Sequence, residues 1–325
     1  MRIDFHSHFF PRSYVDHLSG RSEPPHVLPG RSERDVWYAP GLSIPLLPAS
    51  VDPARRLEDA DRLGIDLEVL SVTLPGVDTL PLPAARDVAR RMNQDTAEVV
   101  AAYPGRFAGL GTVPLQDIPA AIAEMEHAVK QLRLSGIGIY SNVAGDPYVK
   151  KDYYPFFAAA AELGVVLFMH PTTPAMAHAV GSDPMRLTNV AYLADTTLAI
   201  TNLILSGILE RLPNLKIVFA HLGGAFPYIV GRMDHSFKRS PRINRQELPL
   251  LPSEYLRRVY LDVVSLNPGS IRLAQEAVGL EHLLFASDYP FIDIEGNLET
   301  VEAMGWSEGD KQLVYETNAR KLLGI

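Results

Sequence analysis

Short apolar runs alternate along this chain with longer stretches of helical periodicity. The runs that read as β-strands are 2–6, 66–72, 107–113, 136–140, 165–169, 216–220, 258–263 and 283–287. The stretches between them that read as helices are 53–63, 84–103, 118–133, 154–163, 193–211, 225–238, 268–278 and 307–323. Strands that alternate with helices in this way favour an α/β fold, a (β/α)8 TIM barrel, over an open doubly wound sheet.

Residues 9–52 interrupt the alternation. This stretch is rich in proline and glycine and shows no clear periodicity. We expect a long loop that is inserted after strand 1 of a single domain spanning 1–325 and lies as a lid over the active site. The alternative is that residues 9–52 form a surface loop with no role at the active site.

Composition narrows the classes of function. The chain of 325 residues has no cysteine, so a metal would rest on histidine and carboxylate, and the lack of cysteine accords with a cytoplasmic location. A net charge of −8 without a basic block argues against nucleic acid as a partner. No apolar stretch reaches membrane-spanning length, and the start of the chain lacks a signal-peptide layout, so we expect no membrane partner.

Polar residues follow the apolar runs at the ends of several predicted strands. His6 and His8 are two residues apart on strand 1, so their side chains share a face. His170, His221 and Asp288 close the predicted strands 5, 6 and 8. Each of them alone reads as a strand-end residue that caps a loop. Together, at the end of a barrel where active sites lie, they favour a metal site.

Three motifs around these residues are similar to those of a known family. They are Asp4-Phe5-His6-Ser7-His8-Phe9-Phe10-Pro11, Ala220-His221-Leu222-Gly223-Gly224 and Ser287-Asp288-Tyr289-Pro290-Phe291. The chain resembles the amidohydrolase superfamily, and within it the branch typified by aminocarboxymuconate semialdehyde decarboxylase. The resemblance extends through 113–117, 203–207, 252–255 and 267–269, and so covers nearly the whole chain.

The resemblance implies a site with one divalent metal ion, usually Zn²⁺, with Mn²⁺ or Co²⁺ as alternatives. Its ligands would be His6, His8, His170 and Asp288. His221 would stand beside the metal as general acid/base, and Asp288 would share in the catalysis. Related enzymes with two metals use a carboxylated lysine from the fourth strand, and 136–142 contains no lysine. The resemblance also implies a homodimer.

Arg232 matches a position that binds a substrate carboxylate in that family, where it reaches the site of a neighbouring subunit. An ordinary surface arginine, paired with Asp234 or Glu254, is the alternative. Phe291 and Phe9 are candidates to stack on a planar substrate.

A second family arginine has no counterpart, because Ile44 occupies its position. The apolar surroundings of Ile44 suit a more apolar or aromatic acid than aminocarboxymuconate semialdehyde. Arg31 or Arg34 could supply a cation from elsewhere in the insertion.

The sequence therefore predicts a metal-dependent, non-oxidative decarboxylase, a carboxy-lyase, that acts on a small aromatic or unsaturated carboxylic acid. A metal-dependent hydrolase or hydratase of a lactone, amide or unsaturated diacid is the alternative, because the same ligands serve either reaction. A catalytically silent barrel is disfavoured by the full ligand set. Asp262 is expected to orient a neighbour or to satisfy loop amides, and Asp4 to be a structural hydrogen-bond acceptor.

Overall fold

A computed structural model describes residues 1–30, 33–39, 42–148, 153–174, 181 and 183–325. Its strands are β1 (Ile3–His8), β2 (His26–Gly30), β3 (Glu33–Ala39), β4 (Leu42–Pro45), β5 (Leu67–Ser71), β6 (Phe107–Thr112), β7 (Gly136–Tyr140), β8 (Val166–His170), β9 (Lys216–Phe219), β10 (Tyr260–Asp262) and β11 (Leu283–Leu284). An eight-stranded parallel sheet runs in the order β1-β5-β6-β7-β8-β9-β10-β11.

The segment after β11 brings this sheet back to its first strand. The amide of Phe5 donates to the carbonyl of Phe285 at 3.0 Å, and the amide of Asp288 donates to the carbonyl of His6 at 2.8 Å. A bridge between Ser7 and Tyr289 continues the pairing. The predicted (β/α)8 TIM barrel is therefore confirmed.

Helices cover the outside of the sheet. The longer ones are Pro53–Leu63, Leu82–Ala102, Ile118–Lys130, Tyr154–Leu163, Tyr192–Leu205, Phe226–Arg239, Pro268–Val278 and Ile294–Glu302. Shorter helical segments are Arg12–Ser19, Pro48–Val51, Pro184–Arg186, Leu187–Ala191, Ile208–Arg211, His221–Gly223, Pro252–Leu256, Leu280–His282, Glu308–Gln312, Leu313–Thr317 and Asn318–Leu323. Within the described part of the chain, no helix combines the length and the apolar content needed to cross a membrane.

The sequence sets several helix starts in the same way. Asp52, Asp117 and Asn267 each stand just before a helix whose first residue is proline, and each side chain accepts a backbone amide of the first turn. Proline needs no hydrogen bond for its nitrogen at that position, and the cap satisfies one of the amides that would otherwise be free. These caps fix the residue at which each helix begins.

Residues 9–52 differ from the expected loop. They contain the helix Arg12–Ser19 and an antiparallel sheet in the order β2-β3-β4. Val27 and Val36 of this sheet pack in one apolar cluster with Tyr14 and with Val88 and Met92 of the helix Leu82–Ala102. The insertion thus shares a core with the barrel, although its short, proline-containing strands carry too little periodicity to be read from the sequence.

Candidate metal centre

The carboxyl ends of β1, β8 and β11 bring four predicted ligands together. His6, His8, His170 and Asp288 are all buried, and each offers one ligand atom within 4.8 Å of the others. The Nε2 atoms of His6 and His8 are 2.9 Å apart, and those of His8 and His170 are 3.3 Å apart. Asp288 Oδ1 lies 3.0 Å from His8 Nε2 and 3.3 Å from His6 Nε2.

The opposite ring nitrogens of these histidines face oxygen acceptors. His6 Nδ1 lies 2.7 Å from Asp262 Oδ2, and His170 Nδ1 lies 2.7 Å from the carbonyl oxygen of Pro171. Because a carbonyl or carboxylate only accepts, these contacts assign the proton to Nδ1 and leave the Nε2 lone pairs facing one another. A cation among the Nε2 atoms removes that repulsion. The donor set therefore fits a divalent metal ion bound by neutral imidazoles and a carboxylate.

The charge states of the ligands follow from burial and from their neighbours. Burial lowers the pKa of His8 to about 4 and holds the pKa of His170 well below its usual range. Burial would also lower the pKa of His6, but the Asp288 and Asp262 carboxylates outweigh it and raise the pKa to about 10. His6 therefore becomes a neutral ligand only when a metal ion takes the place of the proton on Nε2. Burial would raise the pKa of Asp288, yet His6 and the other histidines hold it well below its usual range. The carboxylate is thus ionised and available as a ligand.

Asp262 at the end of β10 connects the ligand cluster to His221. Its Oδ2 holds His6, while Oδ1 accepts the backbone amides of His221 at 2.7 Å and Val264 at 3.2 Å. Asp262 therefore does both things expected of it, since it orients a neighbour and satisfies loop amides. Asp4 is confirmed as a structural acceptor, because its Oδ1 receives the amide of Ser287 at 3.0 Å.

His221 stands beside the ligands. Its Nε2 lies 3.3 Å from Asp288 Oδ2, whereas Asp288 Oδ1 faces His6 and His8. Nδ1 of His221 is buried without a hydrogen-bond partner among the described residues. His221 has a φ of 55° and Asp288 a φ of 62°, in the left-handed region that costs energy for residues with a Cβ. Such strain is typical of positions that a functional site holds in place.

A pocket of about 500 Å³ opens above these residues. His170, His221 and Asp288 lie in its wall, and most of the remaining wall is apolar. Ile44 of β4 and Phe291 both line it, and the rings of Phe291 and His8 have centroids 5.7 Å apart. The insertion therefore reaches the site. Among the described residues, the wall contains no lysine or arginine.

Arg232 lies elsewhere. It is exposed on the helix Phe226–Arg239 and forms no ion pair within the described part of this chain. The suggested pairing with Asp234 or Glu254 is wrong, because no ion pair joins Arg232 to either of these described residues. Asp234 accepts instead from Ser253 at 2.7 Å, and Glu254 accepts the amide of Leu251 at 2.8 Å.

Two further candidates, Phe9 and Arg34, are also away from the pocket. Phe9 packs in a small core cluster with Leu70 and Phe107, so the suggestion that it stacks on substrate is wrong. Arg34 is exposed and donates to Ser19 at 3.0 Å. Arg31 lies outside the described residues.

Sequence reasoning missed Arg56, which fastens the end of β1 to the barrel. Its buried guanidinium donates to the carbonyl oxygens of His8 at 2.6 Å and Ala49 at 2.8 Å, and to Ser7 Oγ. It also pairs with Glu68 at 3.0 Å. An arginine inside an amphipathic helix reads as a surface residue, so no signal in the sequence pointed to it.

Comparisons with known proteins agree with this geometry. A family model described as "Amidohydrolase" matches residues 3–325. A 2-amino-3-carboxymuconate-6-semialdehyde decarboxylase from Dictyostelium discoideum is 33% identical, over 100% of this chain and 92% of its own.

Among solved structures, a 5-carboxyvanillate decarboxylase from Sphingomonas paucimobilis has a TM-score of 0.86 and 30% identity, covering 100% of this chain and 99% of its own. A 5-carboxyvanillate decarboxylase mutant from Novosphingobium aromaticivorans, with bound manganese and 3-methoxy-4-hydroxy-5-nitrobenzoic acid, has a TM-score of 0.83 and 26% identity, covering 100% of this chain and 97% of its own.

Proposed function

Because this chain belongs to the amidohydrolase family, we propose that it is a metal-dependent, non-oxidative decarboxylase of a small aromatic carboxylic acid. The observation that carries the proposal is the buried group of His6, His8, His170 and Asp288, with His221 at its edge and an apolar pocket above. The relatives named above, which are decarboxylases, support the same reaction.

We assign His6, His8, His170 and Asp288 as the ligands of one divalent ion, with Zn²⁺ as the first choice and Mn²⁺ or Co²⁺ as alternatives. When bound, the ion supplies positive charge that attracts an anionic substrate and polarises its oxygens. The two carboxylate oxygens of Asp288 have different roles in this proposal. Oδ1 faces the histidine cluster, and Oδ2 faces His221 and fixes the orientation of that ring.

His221 is the proton donor in this proposal. It transfers a proton to the substrate carbon that bears the carboxylate, and the bond from that carbon to the carboxylate then breaks. CO2 leaves, and the bonding electrons return to the ring and restore its aromaticity. The new C–H bond contains the transferred proton, so the reaction needs neither an oxidant nor water as a reactant. General acid catalysis of this kind contributes about 10²–10⁴-fold to a rate.

The pocket favours an aromatic acid without a second carboxylate. Ile44 presents a hydrocarbon side chain, and Phe291 offers a ring beside His8. Since the described wall holds no cation, a second carboxylate would be desolvated without a partner. In this proposal residues 1–325 form one catalytic domain, and the insertion 9–52 is the lid over its site.

We further propose a homodimer in which Arg232 of each subunit reaches toward the pocket of the other. Its exposure and its lack of an ion partner among the described residues leave the guanidinium available for that contact. Analytical ultracentrifugation tests the dimer. The absence of cysteine accords with a cytoplasmic location, which cell fractionation tests.

The decisive experiment measures CO2 release from a panel of hydroxybenzoic and other unsaturated carboxylic acids. It uses protein shown to hold one metal ion per chain, with the variant His221→Asn and the exposed control His235→Asn. We expect release that is lost on chelation, falls about 10²–10⁴-fold in His221→Asn and persists in His235→Asn. Absence of release from the metal-loaded protein across the panel, with incorporation of solvent oxygen into a lactone or amide product, would instead establish a hydrolase.

A further inference from the structure

Two walls of the metal-centre pocket come from different parts of the chain. One is β4 of the insertion, which supplies Ser43, Ile44 and Pro45. The other is the helical segment 184–205 after β8, which supplies Thr188 and Tyr192. The separation of these walls limits the width of a bound substrate, so the contacts that hold the walls together bear on specificity.

A hydrogen bond between two tyrosine side chains joins the insertion to the helical segment. The hydroxyls of Tyr38, on β3, and of Tyr192 lie 3.1 Å apart. The two residues are only 6% and 7% exposed. Burial raises the pKa of each tyrosine, so both hydroxyls stay protonated. We call this contact the tyrosine pair.

An apolar cluster encloses the tyrosine pair. It draws on the insertion, the loop after β5 and the helical segment, and it consists of Tyr38, Leu42, Leu74, Leu187, Ala191 and Tyr192. Ile44 of the pocket wall packs against this cluster. Removal of one tyrosine hydroxyl would leave the other buried without a partner among the described residues, and such a group costs free energy.

Both elements depart from regular geometry where they make this contact. The pairing of β3 with β4 shifts register between Trp37 and Ala39, at Tyr38, and irregularities of this kind re-aim a side chain. On the other side, the π-helical turn Leu187–Ala191 leads directly into Tyr192. Such turns inside helices are frequent at functional sites.

We propose that Tyr38 and Tyr192 are positioning residues that set the substrate specificity of the pocket. Val36 of β3 pairs with Ile44 of β4, so a contact that fixes β3 also fixes Ile44 in the pocket wall. When the tyrosine pair opens, β4 moves away from the helical segment and the pocket admits a wider ring system. The inference rests on the proposed function, since it takes this pocket as the substrate site.

The test uses the full-length, metal-loaded protein with the variants Tyr38→Phe and Tyr192→Phe and the double variant. Tyr255→Phe is the matched control, because the Tyr255 hydroxyl lies 3.1 Å from Glu210 and neither residue lines the pocket.

Two measurements are made on each protein. Hydrogen–deuterium exchange of the Leu46 amide, which donates to the carbonyl of Arg34 at 2.9 Å, reports opening of the insertion sheet. Calorimetry gives the affinities for phenol and naphthol, which carry the same hydroxyl on one ring and on two. Neither measurement depends on turnover.

We expect the Leu46 amide to exchange about fivefold faster in each single variant, the effect of one lost hydrogen bond. The affinity for naphthol relative to phenol should rise by the same factor, because only the open form accommodates the second ring. The double variant should exchange no faster than either single variant, since it leaves no hydroxyl without a partner. Metal content should stay constant throughout, and Tyr255→Phe should behave as the wild type.

The proposal is overturned if the single variants exchange like the wild type or if their effects add in the double variant. It is also overturned if the wild type binds neither phenol nor naphthol, or if exchange rises while the ratio of the two affinities stays constant. Either single variant suffices for the comparison with the wild type if the other does not fold. Failure of the proposed function gives a different result, because the wild type would then release no CO2 while the exchange and affinity results still hold.

Discussion

Replacement of Asp262 by asparagine tests whether this carboxylate sets the form in which His6 binds a metal. Oδ1 of Asp262 accepts the amides of His221 at 2.7 Å and Val264 at 3.2 Å, so the oxygen of an asparagine must stay on that side. The asparagine NH2 then faces His6 Nδ1, which lies 2.7 Å from Oδ2 in the native protein. To accept from that NH2, His6 must move its own proton to Nε2, the atom assigned to the metal.

We therefore expect Asp262→Asn to weaken metal binding by about 10–100-fold, the usual cost of losing such an outer partner. This loss corresponds to about 1.4–2.7 kcal/mol. Competition with a fluorescent chelator measures the metal dissociation constant directly and does not depend on activity. Asp234→Asn is the matched control, because the Asp234 carboxylate holds Ser253 on another part of the chain. An unchanged dissociation constant in Asp262→Asn would refute the reasoning.

Three further predictions follow from buried charge and pocket chemistry. Arg56→Met leaves the carboxylate of Glu68 buried and without its cation, so the free energy of unfolding in denaturant should fall by about 3–5 kcal/mol. Arg55→Met, at an exposed position, should change it by less than about 0.5 kcal/mol. Equal effects of the two variants would contradict a structural role for the buried Arg56–Glu68 pair. Ile44→Arg places a cation in the pocket wall, so kcat/KM for a dicarboxylic acid relative to a monocarboxylic acid should rise about tenfold, a change that Ile44→Met should not reproduce. Asp78 holds its proton more tightly in the folded state, because burial raises its pKa from 3.8 to about 7. Its contribution to stability is therefore present below about pH 4 and is lost as pH rises toward 7, by up to about 4 kcal/mol. Asp78→Asn should remove this loss. The free energy of unfolding of the variant, relative to that of the wild type, should therefore be higher at pH 8 than at pH 5. An equal difference at both pH values would contradict the pKa shift.

The barrel could be predicted because its strands are buried on both faces. A run such as Val166–His170 is apolar until its last residue, and that residue emerges at the end of the barrel where its chemistry is used. The two-residue spacing of His6 and His8 places their side chains on the same face of a strand, whatever the tertiary contacts are. The alternation of side chains along a strand and the positions of the strand ends were therefore enough to predict the four candidate ligands.

The insertion could not be predicted in the same way. β2 and β4 contain Pro29 and Pro45, which in isolation argue against strands. Their pairing with β3, and the packing of Val36 against the helix Leu82–Ala102, are long-range contacts that no local pattern shows. Asp78 was missed for a related reason. An aspartate in a loop reads as a turn residue, and only the fold reveals that it is buried.

The contrast between the barrel strands and the insertion explains why the sequence predicts the type of reaction better than it predicts the substrate. His6, His8, His170 and Asp288 follow barrel strands, whose ends are defined by the fold itself. The specificity of the pocket depends instead on residues such as Ile44, which reaches the site only because the insertion folds back as a sheet over the barrel. A change in the insertion can therefore alter which acid is accepted while the ligands and His221 stay in place. Substrate preference in such a barrel should follow the residue at position 44 more closely than it follows overall sequence identity.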